Sequence, residues 1–365
     1  MMQPCVASSQ SGQTWLIEWS EKLLSTMEVT MAQQKGIVKE NTLWGNNRSG
    51  FSTKALRSRS GCLLKYPVLS LSSYDSHPNP VASYDEAKQR FESKFASEID
   101  FYEGSHSFML THGYKTAKVI VFAHGFPSSP APFKEFAAEF FNRGYNVLAM
   151  TMPYCGLADR MNTEQVKMRA EDFMRYGDEV VDIARGLGDH VTMAGISAGG
   201  LVTAWVAQQR ADVDLAVLIS PGLGLKAVPR FWTPFMSWAL SILPNWYIWE
   251  DPKLKENTRR LYNYVRVPSK VVGQVLRLGQ AVKSLARQEA PAARFILVIT
   301  NLNDPDIDDV AVDRVANLWR SHRPQDVQSF QFPAELGLGH DIIDVTDPHM
   351  NVALVYPKLL ELIDR

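Results

Sequence analysis

The sequence is poor in cysteine, in net charge and in long apolar runs, and each shortage excludes a class of protein. Three cysteines in 365 residues do not make a disulfide framework. The 38 basic and 39 acidic side chains nearly balance, so the chain shows no electrostatic footprint for a nucleic-acid partner. No apolar run approaches the roughly eighteen residues of a transmembrane segment. An apolar content of 45% is nevertheless ample for a core, which indicates a soluble globular body.

Acidic residues are also absent from positions 41–73, where five Lys or Arg and seven Ser occur without a sustained apolar period. Such a segment cannot bury enough apolar surface to offset its ordering entropy, so disorder is expected. The composition resembles an organelle transit peptide, although glutamates upstream do not fit; a mis-assigned start is the other explanation. We do not expect secretion, because this stretch has no compact apolar region followed by a small-residue cleavage site. We expect residues 1–75 to be an extension that the folded part does not need, in a cytoplasmic or soluble organellar protein.

Strands alternate with helices from about residue 84 onward. Residues 118–123, 215–219 and 294–300 are apolar runs of strand length, typical of strands buried on both faces. The alternation predicts an α/β protein with a mostly parallel central sheet and helices on both faces. Residues 76–221 and 291–365 are expected to form the two parts of this core.

The alternation pauses between residues 222 and 290. This segment holds four of the nine tryptophans, and prolines divide it into short helical stretches. Loops at the carboxyl edge of a parallel sheet surround its site, so the segment is expected to be an inserted helical lid over that edge. Most of its aromatic side chains should pack together, while two or three line a pocket, with Trp232 and Trp238 as candidates.

The strongest motif is Gly195-Ile196-Ser197-Ala198-Gly199, which follows a short apolar strand and opens a helical pattern. In so tight a turn the serine adopts strained backbone angles, and its hydroxyl is exposed at the sheet edge. Side chains at the two glycine positions would collide with the strand and the helix. A glycine-rich turn that only packs the strand against the helix is the alternative, but this context favours a nucleophile.

A serine is a poor nucleophile at neutral pH, so it needs a base and an orienting acid. Asp304 stands in the turn after the strand that resumes the sheet, and His340 follows the expected last strand. Asp306 is the reserve candidate for the acid. Asp308 or Asp309 is better explained as the cap of the next helix, because an aspartate accepts hydrogen bonds from free amides at a helix start.

Attack on an acyl carbon places negative charge on the carbonyl oxygen, and two backbone amides must meet that charge. The N–H of Ala198, directly after the nucleophile, is the first candidate. The N–H of Phe126, in the loop after the first long apolar strand, is the second. His124 in the same loop is expected to be structural rather than catalytic.

These motifs resemble those of the α/β-hydrolase superfamily, in the order His124-Gly125-Phe126-Pro127, Gly195-x-Ser197-x-Gly199, Asp304 and His340. The similarity is closest to its monoacylglycerol lipase-like and serine aminopeptidase-like branch, and it covers about residues 105–365. The resemblance implies the α/β-hydrolase fold with a helical cap at the insert, and no metal or organic cofactor. The tight turn at Gly195–Gly199, called the nucleophile elbow in this superfamily, carries a serine here. In the dehalogenase and epoxide-hydrolase branches the same position carries an aspartate nucleophile, so the chain does not resemble those branches.

One loop departs from that branch, in which Pro-Gly-His-Gly is common. Here the loop reads Pro153-Tyr154-Cys155-Gly156, and Tyr154 and Cys155 are expected at the rim of the substrate pocket. Cys155 is not expected to be a nucleophile, because it lies outside the elbow and has no obvious base.

The sequence therefore predicts a serine hydrolase that acts on a small-molecule carboxylic ester. Ser197 is the expected nucleophile, His340 the general base, and Asp304 the acid that orients it. A peptidase or amidase with the same machinery is one alternative, and a non-catalytic hydrolase fold that binds a small ligand is another. The oligomeric state stays open.

Overall fold

The computed structural model describes residues 75–257 and 262–364, and every structural statement below concerns these residues. Residues 1–74, on which the expectation of a disordered extension falls, lie outside them. The α-helices are α1 (Tyr84–Phe95), α2 (Lys134–Phe141), α3 (Ala170–Leu187), α4 (Ala198–Gln209), α5 (Thr233–Ile242), α6 (Ser269–Gln288), α7 (Asp309–His322) and α8 (Val352–Ile363). None of these helices is long and apolar enough to span a bilayer. The strands are β1 (Phe108–Leu110), β2 (Thr116–Ala123), β3 (Asn146–Ala149), β4 (Gly188–Ile196), β5 (Leu215–Ile219), β6 (Tyr247–Trp249), β7 (Arg266–Pro268), β8 (Phe295–Asn301) and β9 (Val327–Phe332).

Seven of these strands form one sheet in the order β1-β3-β2-β4-β5-β8-β9. Strand β1 runs antiparallel to its neighbour, and the other six strands are parallel. The register pairs Ala123 at the end of β2 with Gly195, and Ile196 at the end of β4 with Ile219. The carboxyl ends of the parallel strands therefore lie along one edge, and the prediction of a mostly parallel sheet is confirmed.

Alternating side chains of the strands build two hydrophobic layers, one on each face of the sheet. In β2, Val119 and Val121 belong to the layer that includes α1, α3, α4, α6 and α7. Ile120 and Phe122 belong to the layer that includes α2 and α8. All four side chains are fully buried, and each contributes about 1.5–3 kcal/mol relative to an exposed position. Helices on both faces explain why β2 has an almost uninterrupted apolar sequence.

The segment at residues 222–290 differs from the expected insert of short helices. It contains α5, the antiparallel pair β6–β7 and the 20-residue helix α6. Val271, Leu278 and Val282 on α6 join the same hydrophobic layer as α4 and α7, because an apolar helix face needs an apolar partner. Helix α6 thus belongs to the core, and the insert ends near Pro268 rather than at residue 290.

The chain enters α1 along an extended segment that is held by helix α3. The hydroxyl of Ser76 and the backbone N–H of His77 donate hydrogen bonds to the carboxylate of Asp178. The backbone N–H of Asn79 donates to the carboxylate of Asp182 at 3.0 Å. These partners make the extended segment part of the folded body.

A chain that begins at Tyr84 should therefore be less stable than one that begins at Ser76. It lacks three hydrogen bonds to the carboxylates of α3, and each hydrogen bond to a charged group contributes about 1.5–3 kcal/mol at most. We expect the free energy of unfolding to fall by roughly 2 kcal/mol or more, which lowers the melting temperature by several degrees. Thermal melts of the two chains measure the difference. Equal melting temperatures would show that the extended segment adds nothing to stability.

Candidate active site

Ser197 lies in the turn between β4 and α4, with backbone angles of φ 56° and ψ −117°. A positive φ is strained for a residue with a side chain. The strained conformation persists because the close packing around the turn leaves the backbone no other conformation. A Cβ at Gly195 would lie 2.3 Å from the carbonyl oxygen of Gly199. A Cβ at Gly199 would lie 2.0 Å from the carbonyl oxygen of Ala123. The predicted need for glycine on both sides of the serine is confirmed.

Backbone hydrogen bonds fix the serine against the neighbouring strand. The N–H of Ser197 donates to the carbonyl of Ile219 at 3.0 Å, and the N–H of Gly222 donates to the carbonyl of Ser197 at 2.9 Å. Helix α4 starts directly after the serine, so the partial positive charge of its amino terminus lies beside the hydroxyl. The turn therefore places a rigidly held hydroxyl at the carboxyl edge, where developing negative charge is favoured.

Asp304 and His340 meet at the same edge. Nδ1 of His340 and Oδ2 of Asp304 are 2.7 Å apart. The other oxygen of Asp304 accepts the N–H groups of Asp306 at 2.9 Å and Ile307 at 3.1 Å. Asp304 is only 1% exposed, so both of its oxygens are committed to these partners. The carboxylate is thus fixed in the position that orients the imidazole.

The other two aspartates of this loop have different positions. Asp306 is exposed. Asp308 is the cap of α7, where its side chain accepts the N–H of Val310 at 3.2 Å, and it also pairs with Arg230 at 2.6 Å. Asp308 or Asp309 was predicted as the cap of this helix, and Asp308 is the one that caps it.

Sequence reasoning missed the residues that support this pair. Asn301 is fully buried at the end of β8, and its side-chain amide donates to the carbonyls of Leu338 at 3.0 Å and Gly339 at 2.6 Å. It therefore holds the loop that leads into His340. The ammonium group of Lys226 donates to the backbone carbonyl of Asp304 from the insert side. A polar residue at the end of a buried strand was the available signal for Asn301.

The two partners stabilise each other's charged forms. Burial disfavours the imidazolium, but the charge of Asp304 and its hydrogen bond outweigh burial and raise the pKa of His340 to about 9. Burial likewise opposes the carboxylate of Asp304, but the charge of His340 and the hydrogen bonds lower the pKa of Asp304. The structure therefore favours an ionised pair near neutral pH.

The raised pKa predicts an alkaline pH–rate profile. A histidine can act as a general base only when its imidazole is neutral, so if His340 is the base, kcat/KM should rise with pH and level off above about 9. Asp304→Asn removes the charge that raises the pKa, so its much lower rate should level off nearer the ordinary histidine value of about 6.5. Initial rates of ester hydrolysis across the pH range measure both midpoints. Coincident midpoints would show that Asp304 does not control the charge of His340.

The loop after β2 lies against the serine. A Cβ at Gly125 would be 3.2 Å from the Cβ of Ser197, so the peptide that leads into Phe126 approaches Ser197 closely. Within the described ranges, neither the N–H of Phe126 nor that of Ala198 donates to a protein acceptor. Both amides are thus available for a ligand, and their role as an oxyanion hole is a proposal.

His124 holds this loop in place through two hydrogen bonds of its ring. Its Nε2 accepts the N–H of Met152 at 2.9 Å, so Nδ1 carries the proton and donates to the carbonyl of Gly125 at 2.8 Å. Burial lowers the pKa of His124 to about 4, which keeps the ring neutral. These contacts agree with the expectation of a structural histidine.

The predicted pocket residues are less enclosed than expected. Trp232 is 45% exposed, and Trp238 and Tyr154 are half-buried. The rings of Trp232 and Trp238 both contact Phe235, with centroids 5.4 and 5.9 Å away. This ladder along α5 packs within the insert, and its role in a substrate pocket stays a proposal. Cys155, in contrast, was expected at the rim of the pocket, and this prediction is wrong, because the residue is buried in the core. Burial raises the pKa of its thiol.

One group of side chains has a spacing that a metal ion could use. Asp304, Asp306 and His340 offer two carboxylate oxygens and one ring nitrogen within 4.8 Å of one another. The ring nitrogen that faces Asp304 is already hydrogen-bonded to it at 2.7 Å. We therefore interpret the group as an acid and base pair.

Comparisons with known proteins show which solved structures share this fold. Residues 114–295 match a family model described as "Serine aminopeptidase, S33". A structure of the metagenome-derived lipolytic enzymes LipS and LipT has a TM-score of 0.54 at 17% identity, over 72% of this chain and 99% of that chain. A monoacylglycerol lipase from Paleococcus ferrophilus has a TM-score of 0.53 at 17% identity, over 73% and 98%. A soluble variant of the Saccharomyces cerevisiae monoglyceride lipase has a TM-score of 0.51 at 12% identity, over 71% and 90%. No curated protein sequence gives a significant match.

Proposed function

We propose that this chain, which has the α/β-hydrolase fold and whose residues 114–295 match a family model of serine aminopeptidases, is a serine hydrolase of carboxylic esters. Ser197 is the proposed nucleophile, His340 the general base and Asp304 the orienting acid. The backbone amides of Phe126 and Ala198 are the proposed oxyanion hole.

The observation that carries this function is the hydrogen bond between His340 and Asp304. The bond occupies Nδ1 and fixes the tautomer, so Nε2 is the nitrogen that can take a proton from a hydroxyl. A strained, half-buried serine at the same sheet edge supplies that hydroxyl. A buried carboxylate, an oriented imidazole and a serine at an elbow are the parts that nucleophilic acyl transfer needs.

The first half of the reaction forms the acyl-enzyme. Ser197 Oγ attacks the ester carbonyl carbon while its proton moves to Nε2 of His340. The carbonyl oxygen becomes an oxyanion that accepts hydrogen bonds from the two amides. The intermediate then collapses, the bond to the alcohol oxygen breaks, and His340 gives its proton to the departing alcohol. Asp304 stabilises the imidazolium throughout without becoming protonated.

The second half releases the acid. Water attacks the acyl carbon while His340 takes one of its protons, and a second tetrahedral oxyanion forms at the same amides. When this intermediate collapses, the bond to Ser197 Oγ breaks and His340 returns the proton to the serine. The carboxylic acid leaves, and the enzyme regains its initial state.

Two substrate classes have support. The family description names an aminopeptidase, which favours an amide substrate. The named structural relatives are lipolytic enzymes and monoacylglycerol lipases, which favour an ester. We propose an ester because the same machinery cleaves esters more readily than amides, whose leaving group is poorer.

A fluorophosphonate probe and a substrate panel test the proposal. The probe should label Ser197, and p-nitrophenyl esters of increasing acyl length should be hydrolysed, with the preferred length marking the size of the pocket. Faster cleavage of aminoacyl p-nitroanilides than of esters would identify a peptidase instead. A protein that takes no probe and cleaves neither substrate would be a ligand-binding member of the superfamily, and the proposal would be wrong.

A further inference from the structure

Three consecutive residues of the insert contact loops from both sides of the proposed site. They are Tyr262, Asn263 and Tyr264, which we call the tyrosine strap, and they lie just before β7. Side chains in an insert that only covers a site need not bond to the loops that carry the reacting groups. The strap does bond to them, on two sides.

Tyr264 joins the loop of Phe126 to the loop after β3. Its backbone N–H donates to the carbonyl of Pro127 at 3.2 Å, directly after the proposed oxyanion amide. Its hydroxyl donates to the carbonyl of Tyr154 at 3.1 Å and accepts the N–H of Leu157 at 3.0 Å. The residue is only 2% exposed, so these bonds do not compete with water. Both loops are thereby fixed to one residue, the loop of Phe126 by the backbone N–H of Tyr264 and the loop after β3 by its hydroxyl.

Tyr262 reaches the opposite side of the site. Its hydroxyl donates to the carboxylate of Asp344 and lies 2.6 Å from the hydroxyl of Thr346. Asp344 is buried in the loop that follows His340, and the N–H of Ile342 donates to the carbonyl of His340 at 3.1 Å within that loop. Tyr262 therefore holds the turn that carries the proposed base.

The phenol groups are suited to this work because they stay protonated. Burial raises the pKa of Tyr264, and burial together with the hydrogen bond to Asp344 raises that of Tyr262. Each hydroxyl therefore remains a neutral donor over the whole pH range in which His340 titrates.

We propose that the tyrosine strap positions the two halves of the site relative to each other, with Tyr264 setting the oxyanion amide and Tyr262 setting His340. This assignment rests on the proposed serine-hydrolase function and extends it to residues that touch no substrate. Because catalysis depends strongly on the alignment of the reacting groups, a loosened strap lowers turnover more than binding.

Tyr264→Phe tests the first half. The substitution keeps the ring and the backbone bond to Pro127 but removes both hydroxyl bonds that anchor Tyr264 to the loop after β3. The backbone N–H then no longer has a fixed position under the loop of Phe126, so kcat for a p-nitrophenyl ester should fall roughly tenfold to a hundredfold with KM nearly unchanged. Its pH–rate midpoint should stay at the wild-type value, because the His340 loop is untouched. Rates are expressed per site titrated by the fluorophosphonate probe, so any unfolded fraction does not count.

Tyr262→Phe tests the second half. The negative charges of Asp304, Asp306 and Asp341 raise the pKa of His340. The effect of Asp304, the largest of the three, depends on the position of the loop that carries His340. The pH–rate midpoint should therefore fall by roughly half a unit or more as His340 moves away from Asp304. Tyr114→Phe is the matched control, because Tyr114 is 63% exposed before β2, and neither kcat nor the midpoint should change.

The outcomes separate the two proposals. If the wild-type protein takes no probe and hydrolyses no ester, the proposed function fails and the strap has no site to position. If the wild-type protein is active but both tyrosine variants keep its kcat per titrated site and its midpoint, the strap assignment alone is overturned.

Discussion

Ser197→Ala should reduce ester hydrolysis by roughly a millionfold, because under the proposed function the hydroxyl oxygen is the atom that attacks and no neighbouring group replaces it. The loss should appear in kcat, since the amides of Phe126 and Ala198 would still bind the ester carbonyl. The alanine fits the same turn, in which the strain comes from the backbone angles rather than from the hydroxyl. Far-ultraviolet circular dichroism and the melting temperature should therefore stay near the wild-type values. Labelling by the fluorophosphonate probe should disappear.

A serine elsewhere on the surface provides the control. Ser321 is exposed near the end of α7, where its hydroxyl donates to the carbonyl of Leu318 in its own helix. Ser321→Ala should keep full activity and full labelling. Turnover by Ser197→Ala close to that of the wild type would contradict the proposed mechanism.

Arg210→Ala should lower the free energy of unfolding by about 3–5 kcal/mol, which is a large part of the stability of a domain of this size. The guanidinium is 1% exposed and bonds to Asp178 at 3.0 Å, Asp182 at 2.7 Å and Asp212 at 2.8 Å. Its removal leaves carboxylates of α3 in the interior without their main positive partner. Urea unfolding followed by tryptophan fluorescence measures the loss.

Arg175, which lies on α3 together with Asp178 and Asp182, offers a comparison. It pairs with Asp172 three residues earlier, and its side chain is mostly exposed. Exposed pairs contribute about 0–1 kcal/mol, so Arg175→Ala should change stability little. Equal losses in the two variants would show that burial does not strengthen the Arg210 network.

Much of the fold could be predicted because the relevant signals are local. The uninterrupted apolar run of β2 reports that helices cover both faces of the sheet. The glycines beside Ser197 report that no side chain fits there, and the structure shows the close contacts that explain it. Asp308 could be identified as a cap because capping involves residues only two or three positions apart.

Predictions failed where the deciding partner is distant or where two local signals compete. The sequence Asp347-Pro348 is typical of a helix start, because it offers a cap followed by proline, but the last helix starts at Val352. The Asp347 side chain accepts the N–H of His349 at 2.7 Å and forms a turn instead of a cap. Cys155 was assigned to the pocket rim from its place in a loop, and only the packing of that loop shows that it is buried.

The supporting groups of the site could not be predicted for the same reason. Asn301 holds the His340 loop across more than thirty residues of sequence, and Tyr264 bonds to residues more than a hundred positions away. A polar residue at the end of a buried strand singles out Asn301, but no local feature of the sequence identifies the distant partner of either residue. Candidate reacting groups are thus easier to propose from a single sequence than the groups that hold them in place.

The order of the strands along the chain has a consequence for synthesis in the cell. Strand β5 ends at Ile219, and β8, the strand that pairs with it, begins only at Phe295. Strands so far apart in sequence pair late, because the entropy of closing the intervening chain opposes them. The serine elbow is translated before this gap, whereas Asp304 and His340 are translated after it. A nascent chain under the proposed function therefore carries its nucleophile for some time without a base, and it stays inert toward cellular esters until its last strands have docked.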